Sequence, residues 1–198
     1  MFVKVCGLST PESVRAAVES GADAVGFVLT KSPREVSPGR ARDLLEHVPE
    51  GIAAVGVFRH EAAPEAVATA REAGLEWIQL HGTRSQEDVK TVHDAGMRLI
   101  RAVTMVSAPD EFEEWGEDLL LIDAAIPGSG EVWDYSSVRR LGLGTRPWLL
   151  AGGLTPSNVG TAAAEAGAWG VDVSSGVESS RGVKDLDLVR AFVRSAKA

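Results

Sequence analysis

The sequence predicts an α/β protein, a compact (β/α)₈ barrel of the TIM type with few insertions. Short β-branched runs alternate with amphipathic stretches along the chain, and this alternation is typical of parallel strands joined by crossover helices. One junction recurs, a helix end followed by a glycine and a buried strand, at residues 17–27, 70–80, 93–100 and 163–173. Eight such units in 198 residues leave roughly 25 residues each, which suits a small barrel.

Eight strands are predicted, and a helical stretch follows each. The strands are expected at residues 2–6, 24–29, 52–58, 76–80, 98–103, 118–123, 147–151 and 169–174. The helices are expected at residues 11–20, 38–47, 64–73, 85–95, 109–115, 136–141, 156–166 and 185–197. Proline or serine opens most of them, as is usual at a helix N-terminus. The alternative is a doubly wound open sheet, but residues 6–10 lack the glycine-rich turn that follows the first strand of such sheets.

Charge and composition argue against several classes of protein. The net charge of −8 argues against nucleic-acid binding, because phosphate backbones require clustered lysine and arginine. Membrane association is not expected, since no apolar run approaches the length of a spanning helix and the N-terminus has no signal-peptide pattern. A single cysteine permits no internal disulfide or cysteine-based metal cluster and fits a reduced, cytoplasmic setting. We expect one domain over residues 1–198 and, without long insertions or an evident apolar patch, a monomer.

The first strand ends on the only cysteine of the chain. Residues two apart share a strand face, so Lys4 and Cys6 are expected to point together into the barrel. A lone cysteine is usually a small buried hydrophobic residue, whereas its place at a strand end, directly before Gly7, favours a chemical role. Both interpretations remain open at this point. For Lys4 we expect an interior ion pair with Asp172, which faces inward on the neighbouring eighth strand.

Polar residues stand where the strands end, which is where barrel enzymes carry their chemistry. Arg34 follows the second strand, and Gln79 and His81 share one face of the fourth. Asp123 ends the sixth strand after four aliphatic residues. It either caps a loop or faces a site that the flexible loop at 127–130 is suited to cover.

Glycine-containing turns follow the seventh and eighth strands. The first contains Gly152 and Gly153, and the second contains Ser174, Ser175 and Gly176. Paired turns at these two positions of a barrel present backbone N–H groups to a phosphate, and glycine leaves the approach of the anion open. The alternative is tight turning alone, and the paired placement favours phosphate binding.

Seven motifs, in order along nearly the whole chain, carry a resemblance to one known family. They are Lys-Val-Cys-Gly-Leu at 4–8, Ser-Pro-Arg at 32–34, Val-Gly-Val-Phe at 55–58, Gln-Leu-His-Gly at 79–82, Gly-Ser-Gly at 128–130 with Trp-Asp at 133–134, Ala-Gly-Gly-Leu at 151–154, and the segment 171–178 with 182–185. The chain resembles phosphoribosylanthranilate isomerase, the tryptophan-pathway enzyme. Ser9 and the Trp-Asp-Tyr at 133–135 depart from the usual pattern, but neither touches a proton-transfer residue.

The resemblance implies a reaction and a division of roles. The reaction is an Amadori rearrangement, without cofactor or metal, of the small-molecule phosphosugar N-(5-phosphoribosyl)anthranilate to 1-(2-carboxyphenylamino)-1-deoxyribulose 5-phosphate. The resemblance places the general base on Cys6, the general acid on Asp123 and the arginine for the anthranilate carboxylate on Arg34. The expected phosphate-binding residues are Gly152, Gly153, Ser174, Ser175 and Gly176, and further substrate contacts are expected from Gln79, His81 and Asp172.

An acid and a base of this kind require shifted pKa values. Free aspartate titrates near about pH 4 and free cysteine near about pH 8.5, so each pKa is expected to move towards neutrality. Burial among aliphatic residues should raise the pKa of Asp123 by desolvation. Lys4 and the helix N-termini at the barrel mouth should favour the Cys6 thiolate.

Three alternatives share the barrel scaffold. The first is a histidine-pathway aminoaldose isomerase, or one enzyme serving both pathways, but those relatives carry aspartate where Cys6 stands. The second is indole-glycerol-phosphate synthase, which requires a catalytic lysine for which Lys4 alone is a poor substitute. The third is a non-catalytic phosphosugar-binding barrel, which would require neither Cys6 nor Asp123.

Overall fold

Eight parallel strands close into a barrel in the order in which they occur along the chain. This computed structural model describes residues 1–126 and 132–198. The strands are β1 (Phe2–Cys6), β2 (Ala24–Val28), β3 (Ala53–Phe58), β4 (Trp77–Leu80), β5 (Arg98–Thr104), β6 (Leu119–Asp123), β7 (Trp148–Leu150) and β8 (Gly170–Val173). β1 pairs with both β2 and β8, which closes the barrel. The predicted fold class is confirmed, while the loop at 127–130 and the motif at 128–130 lie outside the described residues.

Helices cover the outside of the barrel. They are α1 (Pro11–Glu19), α2 (Pro38–Leu45), α3 (Ala63–Ala73), α4 (Gln86–Asp94), α5 (Val159–Ala166) and α6 (Leu186–Lys197), with a 3₁₀ helix at Tyr135–Leu141 between β6 and β7. Side-chain oxygens of Thr10, Ser37, Ser85 and Asp185 accept backbone N–H groups at the starts of α1, α2, α4 and α6 and so define where these helices begin. Among the described residues, no helix is long and apolar enough to cross a membrane.

The connection between β5 and β6 departs from the predicted pattern. Instead of a helix at 109–115 it contains one short 3₁₀ helix, Pro109–Phe112. Arg101 of β5, which is 1% exposed, donates to the carbonyl of Glu111 at 2.6 Å and pairs with Glu117 at 2.9 Å. Because the guanidinium satisfies groups of this connection, the segment is held against the barrel without a full helix.

A short antiparallel hairpin after β8 was not predicted. A 3₁₀ turn, Ser175–Val177, leads into β9 (Glu178–Ser180) and β10 (Val183–Lys184). Strands of three and two residues carry too little periodicity to be recognised in a sequence. The chain reverses at Gly182, whose φ of +86° lies in the left-handed region that favours glycine.

The interior of the barrel combines apolar side chains with one ion pair. The buried apolar residues of this interior cluster are Ala24, Val28, Val55, Val57, Ile100, Ala102, Leu119, Leu121, Leu149 and Ala151. The fully buried Lys4 donates to Asp172 Oδ1 at 2.9 Å, and the two residues are register partners on β1 and β8. The predicted ion pair is therefore present. Burial by itself lowers the pKa of Lys4, but the charges of Asp172 and Cys6 outweigh burial and raise it.

Replacing Asp172 with asparagine would leave the buried Lys4 ammonium without its counter-charge. We expect Asp172→Asn to lower the free energy of unfolding by about 3–5 kcal/mol, the usual cost of breaking a buried pair. Denaturant unfolding followed by circular dichroism measures the change. The double variant Lys4→Met/Asp172→Leu removes both charges and should recover most of the loss. An Asp172→Asn variant as stable as the wild type would contradict a structural role for the pair.

Candidate active site

The carboxyl ends of the strands surround a cavity of about 250 Å³. The predicted site residues that line it are Cys6, Arg34, Gln79, His81, Asp123, Asp172 and Ser174. A second cavity of about 40 Å³ shares Asp123, Asp172 and Ser174 with the first. The other predicted residues that line this smaller cavity are Gly152, Gly153, Ser175 and Gly176. Closure of the barrel therefore brings all the predicted residues to one end, where the strand-end argument places them.

Cys6, the last residue of β1, is 6% exposed. Its register partner on β2 is Gly26. A Cβ atom at Gly26 would lie 2.9 Å from Cys6 Sγ, so the thiol occupies space that a larger residue on β2 would fill. Sequence reasoning missed Gly26, and a glycine inside a buried strand was the signal that could have found it.

Asp123 ends β6 with its side chain in both cavities. Burial raises the pKa of its carboxyl group to about 7, with a smaller contribution in the same direction from the charge of Asp172. The backbone N–H of Ala124, which donates to Asp123 Oδ1 at 2.8 Å, and the charge of Lys4 act in the opposite direction. The carboxyl group is therefore divided between its acid and its carboxylate form near neutral pH, as expected for Asp123 from the sequence.

The pKa of the Cys6 thiol is shifted in the direction opposite to the one expected from the sequence. Burial raises its pKa, and the Asp172 carboxylate adds to that rise. Lys4 lowers the pKa of Cys6, as expected, and so does Lys184, but these cations do not outweigh burial. The expectation that this pKa moves towards neutrality is thus wrong for the free protein, because the loss of water around the thiol outweighs the nearby positive charges.

Gln79 and His81 form one polar pair in the cavity wall. Gln79 Nε2 lies 2.6 Å from His81 Nε2, as their predicted common strand face allows. Withdrawal from water lowers the pKa of His81 to about 3, helped by the positive charges of Lys4 and Arg59, so the imidazole is neutral at physiological pH. Within the described residues, the buried Oε1 of Gln79 has no hydrogen-bond partner. An unsatisfied buried acceptor of this kind is uncommon in a folded protein.

Arg34 lies in the loop between β2 and α2 and lines the larger cavity. Its guanidinium makes a bidentate pair with Glu178, with Nε donating to Oε1 at 2.6 Å and Nη2 donating to Oε2 at 3.0 Å. Sequence reasoning did not single out Glu178 as a functional residue, although the residue belongs to one of the motifs that carried the resemblance. One edge of the guanidinium is therefore occupied by the protein, whereas Nη1 makes no hydrogen bond to the part of the chain that the structure describes.

The two glycine turns meet in direct backbone contact. A Cβ atom at Gly176 would lie 1.8 Å from the carbonyl oxygen of Leu154, so no larger residue fits at that position without displacing the turn. Among the described residues, the backbone N–H groups of Gly153 and Ser175 have no acceptor, and both residues line the smaller cavity. Unpaired N–H groups around such a space form a cradle for an anion.

Comparisons with known proteins place the chain in a family. Residues 3–195 match the sequence profile of N-(5'-phosphoribosyl)anthranilate isomerase. The chain is 41% identical over 195 residues to the N-(5'-phosphoribosyl)anthranilate isomerase of Streptococcus mutans serotype c, with 98% of each chain covered. The chain belongs to this family.

Solved members of the isomerase family have the same barrel. The phosphoribosyl anthranilate isomerase from Thermus thermophilus matches with a TM-score of 0.91 at 33% identity, covering 98% of each chain. Another family member, in complex with reduced 1-(o-carboxyphenylamino)-1-deoxyribulose 5-phosphate, matches with a TM-score of 0.87 at 35% identity and covers 100% of this chain and 98% of that one. The protein is therefore an enzyme, an intramolecular aldose–ketose isomerase, and the alternative of a non-catalytic binding barrel is wrong.

The pKa of the thiol in the free isomerase should lie above that of an ordinary cysteine, because the buried thiolate is disfavoured more than the nearby cations favour it. The thiolate is the charged form, so its absorbance should appear only as the pH rises through that raised pKa. Ultraviolet difference titration measures this, with Cys6→Ser as the blank, since the chain has a single cysteine. Thiolate absorbance already complete below about pH 7 would contradict the dominance of burial.

Proposed function

We propose that this isomerase catalyses the Amadori rearrangement of N-(5'-phosphoribosyl)anthranilate to 1-(2-carboxyphenylamino)-1-deoxyribulose 5-phosphate in tryptophan biosynthesis. The observation that carries the proposal is the meeting of a thiol, a carboxyl group and a backbone anion cradle at one end of the barrel. Family membership supports it, because the Streptococcus mutans relative is an isomerase of this substrate. The reaction moves protons within one molecule, so the proposal requires neither a cofactor nor a metal ion.

Asp123 is the proposed general acid. It donates a proton to the furanose ring oxygen, and the bond between that oxygen and C1 breaks as the anthranilate nitrogen forms a double bond to C1. The product of this step is a protonated Schiff base. The pKa of about 7 supports the role, since a general acid must hold its proton near the working pH and still release it readily.

Cys6 is the proposed general base. Its thiolate removes the proton from C2 of the Schiff base, the electron pair forms the C1–C2 double bond of an enolamine, and tautomerisation gives the ketose. The thiol pKa is raised while that of Asp123 is about 7, so thiolate with protonated carboxyl is the minor state of the free enzyme. Its fraction is nearly constant between the two pKa values, because each gain in thiolate is matched by a loss of protonated Asp123.

The remaining predicted residues are proposed to hold the substrate between its two anionic ends. The smaller cavity with its free N–H groups would take the phosphate. The Nη1 side of Arg34 would take the anthranilate carboxylate, which suits a planar guanidinium. Gln79 and the neutral His81 would contact the ribose hydroxyl groups, since both residues line the larger cavity. Asp172, which lines the same cavity, would contact the sugar while it remains paired with Lys4.

The assay that tests this function also tests the division of labour between acid and base. Purified protein should abolish the fluorescence of freshly made phosphoribosylanthranilate. We expect Cys6→Ser and Asp123→Asn each to lower kcat by about 10² to 10⁴, the usual contribution of one acid or base group, with KM changed far less. The exposed Asp94→Asn should be indistinguishable from wild type. Near-normal kcat in Cys6→Ser would rule out the thiolate as base, since a serine hydroxyl is not an anionic base near neutral pH.

The anion cradle gives a separate prediction. Inorganic phosphate should inhibit competitively, and Gly176→Ala should raise both KM and the phosphate inhibition constant at least about tenfold, because one lost hydrogen bond to a charged group costs about 1.5–3 kcal/mol. Gly160→Ala on α5 is the matched control, since its Cβ would approach no atom closer than 4.0 Å. Circular dichroism establishes that both variants fold. Unaltered phosphate inhibition in Gly176→Ala would place the phosphate elsewhere.

A further inference from the structure

We infer that Glu178 is a positioning residue of this isomerase: it orients the Arg34 guanidinium at the cavity and, through Lys184, ties that guanidinium to the anion cradle. The inference rests on the proposed function, in which Arg34 binds one end of the substrate and the cradle binds the other. Nothing in the proposed proton transfers requires Glu178, so its role has to be sought in the geometry of binding.

The carboxylate of Glu178 is saturated with donors from three directions. Oε1 accepts from Arg34 Nε at 2.6 Å and from Lys184 Nζ at 2.9 Å. Oε2 accepts from Arg34 Nη2 at 3.0 Å and from the N–H of Gly182 at 3.0 Å. The side chain of Glu178 is only 5% exposed. Burial would raise its pKa, but these donors lower it to about 2, so the residue is a carboxylate at every pH at which the enzyme is used.

A bidentate contact removes the freedom that an arginine side chain otherwise keeps. Without the contact to Glu178, the Arg34 side chain would sample many rotamers, and binding of a substrate carboxylate would have to restrict it to one of them. Here both Nε and Nη2 are held by Glu178, so the plane and direction of the guanidinium are set before a ligand arrives. Glu178 also neutralises one of the two cations Arg34 and Lys184, which leaves one net positive charge for an anionic substrate.

Lys184 extends the network to the anion cradle. Its ammonium is nearly buried, with 2% of the side chain exposed, and donates to the carbonyl oxygen of Ser174 at 2.7 Å. Ser174 opens the turn that carries the free N–H of Ser175. Two ion pairs, Arg34–Glu178 and Glu178–Lys184, and the hydrogen bond from Lys184 to Ser174 therefore connect the two proposed binding sites.

Two glycines allow the pieces of this network to meet. A Cβ at Gly182 would lie 2.5 Å from the carbonyl oxygen of Pro33, so the hairpin docks directly on the loop that carries Arg34. A Cβ at Gly7 would lie 2.7 Å from Arg34 Cδ and 3.1 Å from Ser174 Oγ. Gly7 therefore lies between the Arg34 side chain and the turn that begins at Ser174. A side chain at Gly7 or at Gly182 would collide with these neighbours, so glycine is favoured at both positions.

The test compares Glu178→Gln with the wild-type enzyme. Glutamine keeps the size of the side chain but loses its charge and one acceptor. We expect KM to rise about three- to tenfold, the cost of ordering one free arginine side chain on binding, with kcat changed less than KM. The inhibition constant of inorganic phosphate should stay constant, because Lys184 still holds Ser174. Ser180→Ala, on the exposed part of the same hairpin, is the matched control and should alter neither constant.

Two further variants separate positioning from a structural role. Glu178→Asp keeps the charge but withdraws it from Arg34, so it should raise KM in the same direction even if Glu178→Gln folds poorly. In Arg34→Ala/Glu178→Gln, KM should be no higher than in Arg34→Ala alone, since Glu178 acts through Arg34. Lys184→Met, which releases the carbonyl of Ser174, should instead weaken inhibition by inorganic phosphate.

Several results would overturn the inference. A merely structural role would lower the amount of active enzyme, and hence the maximal rate, without moving KM. If the increases in KM of Arg34→Ala and Glu178→Gln multiply in the double variant, the two residues act independently. If inhibition by inorganic phosphate is unaltered in Lys184→Met, Lys184 does not connect Glu178 to the anion cradle. A wild-type protein that does not consume phosphoribosylanthranilate would contradict the proposed function itself, whereas an active wild type with unchanged KM in Glu178→Gln contradicts this inference alone.

Discussion

Loss of water inside the barrel is the constraint on which the electrostatics of the site depend, and the buried ion pair between Lys4 and Asp172 modifies its effect. Burial is the largest cause of the shifted pKa values of Cys6, Asp123 and His81. Lys4 lowers all three, whereas Asp172 raises those of Cys6 and Asp123. The two members lie 2.9 Å apart, and their charges act in opposite directions on the Cys6 thiol and on the Asp123 carboxyl group. The charge of Lys4 does not outweigh the loss of water at either group, so both pKa values remain raised.

Desolvation then separates the two proposed proton-transfer groups. The same loss of water raises the pKa of the Asp123 carboxyl group to about 7 and raises that of the Cys6 thiol above its already higher ordinary value. For the acid this shift is helpful, because a protonated carboxyl is needed near neutrality. For the base it means that the reactive thiolate is scarce but strongly basic. The cations Lys4 and Lys184 limit the rise of the thiol pKa, so the thiolate is less scarce than burial alone would make it.

The groups proposed for binding and those proposed for proton transfer lie on different parts of the fold. The strand ends carry the proposed acid and base on a rigid barrel, whereas the loops after β2, β7 and β8 carry the groups proposed to bind the two anionic ends of the substrate. Loops hold such groups in a fixed position only when contacts with the rest of the protein restrict their motion. Here backbone contact at Gly176 joins two of these loops, and the Arg34–Glu178 pair joins the third to the hairpin after β8.

The sequence by itself determined the barrel, the inward face shared by Lys4 and Cys6, and the pairing of Lys4 with Asp172, because strand and helix periodicity assign faces locally and parallel strands collect their ends at one edge. Only the tertiary structure decided that Arg34 is held by Glu178, 144 residues away. It also decided that the connection between β5 and β6 packs around a buried arginine and contains only a short 3₁₀ helix. Finally, it decided that burial raises the pKa of the Cys6 thiol more than Lys4 lowers it. Ion pairing between distant loops and the loss of water around a side chain are properties of packed neighbours, and no local pattern encodes which neighbours will meet.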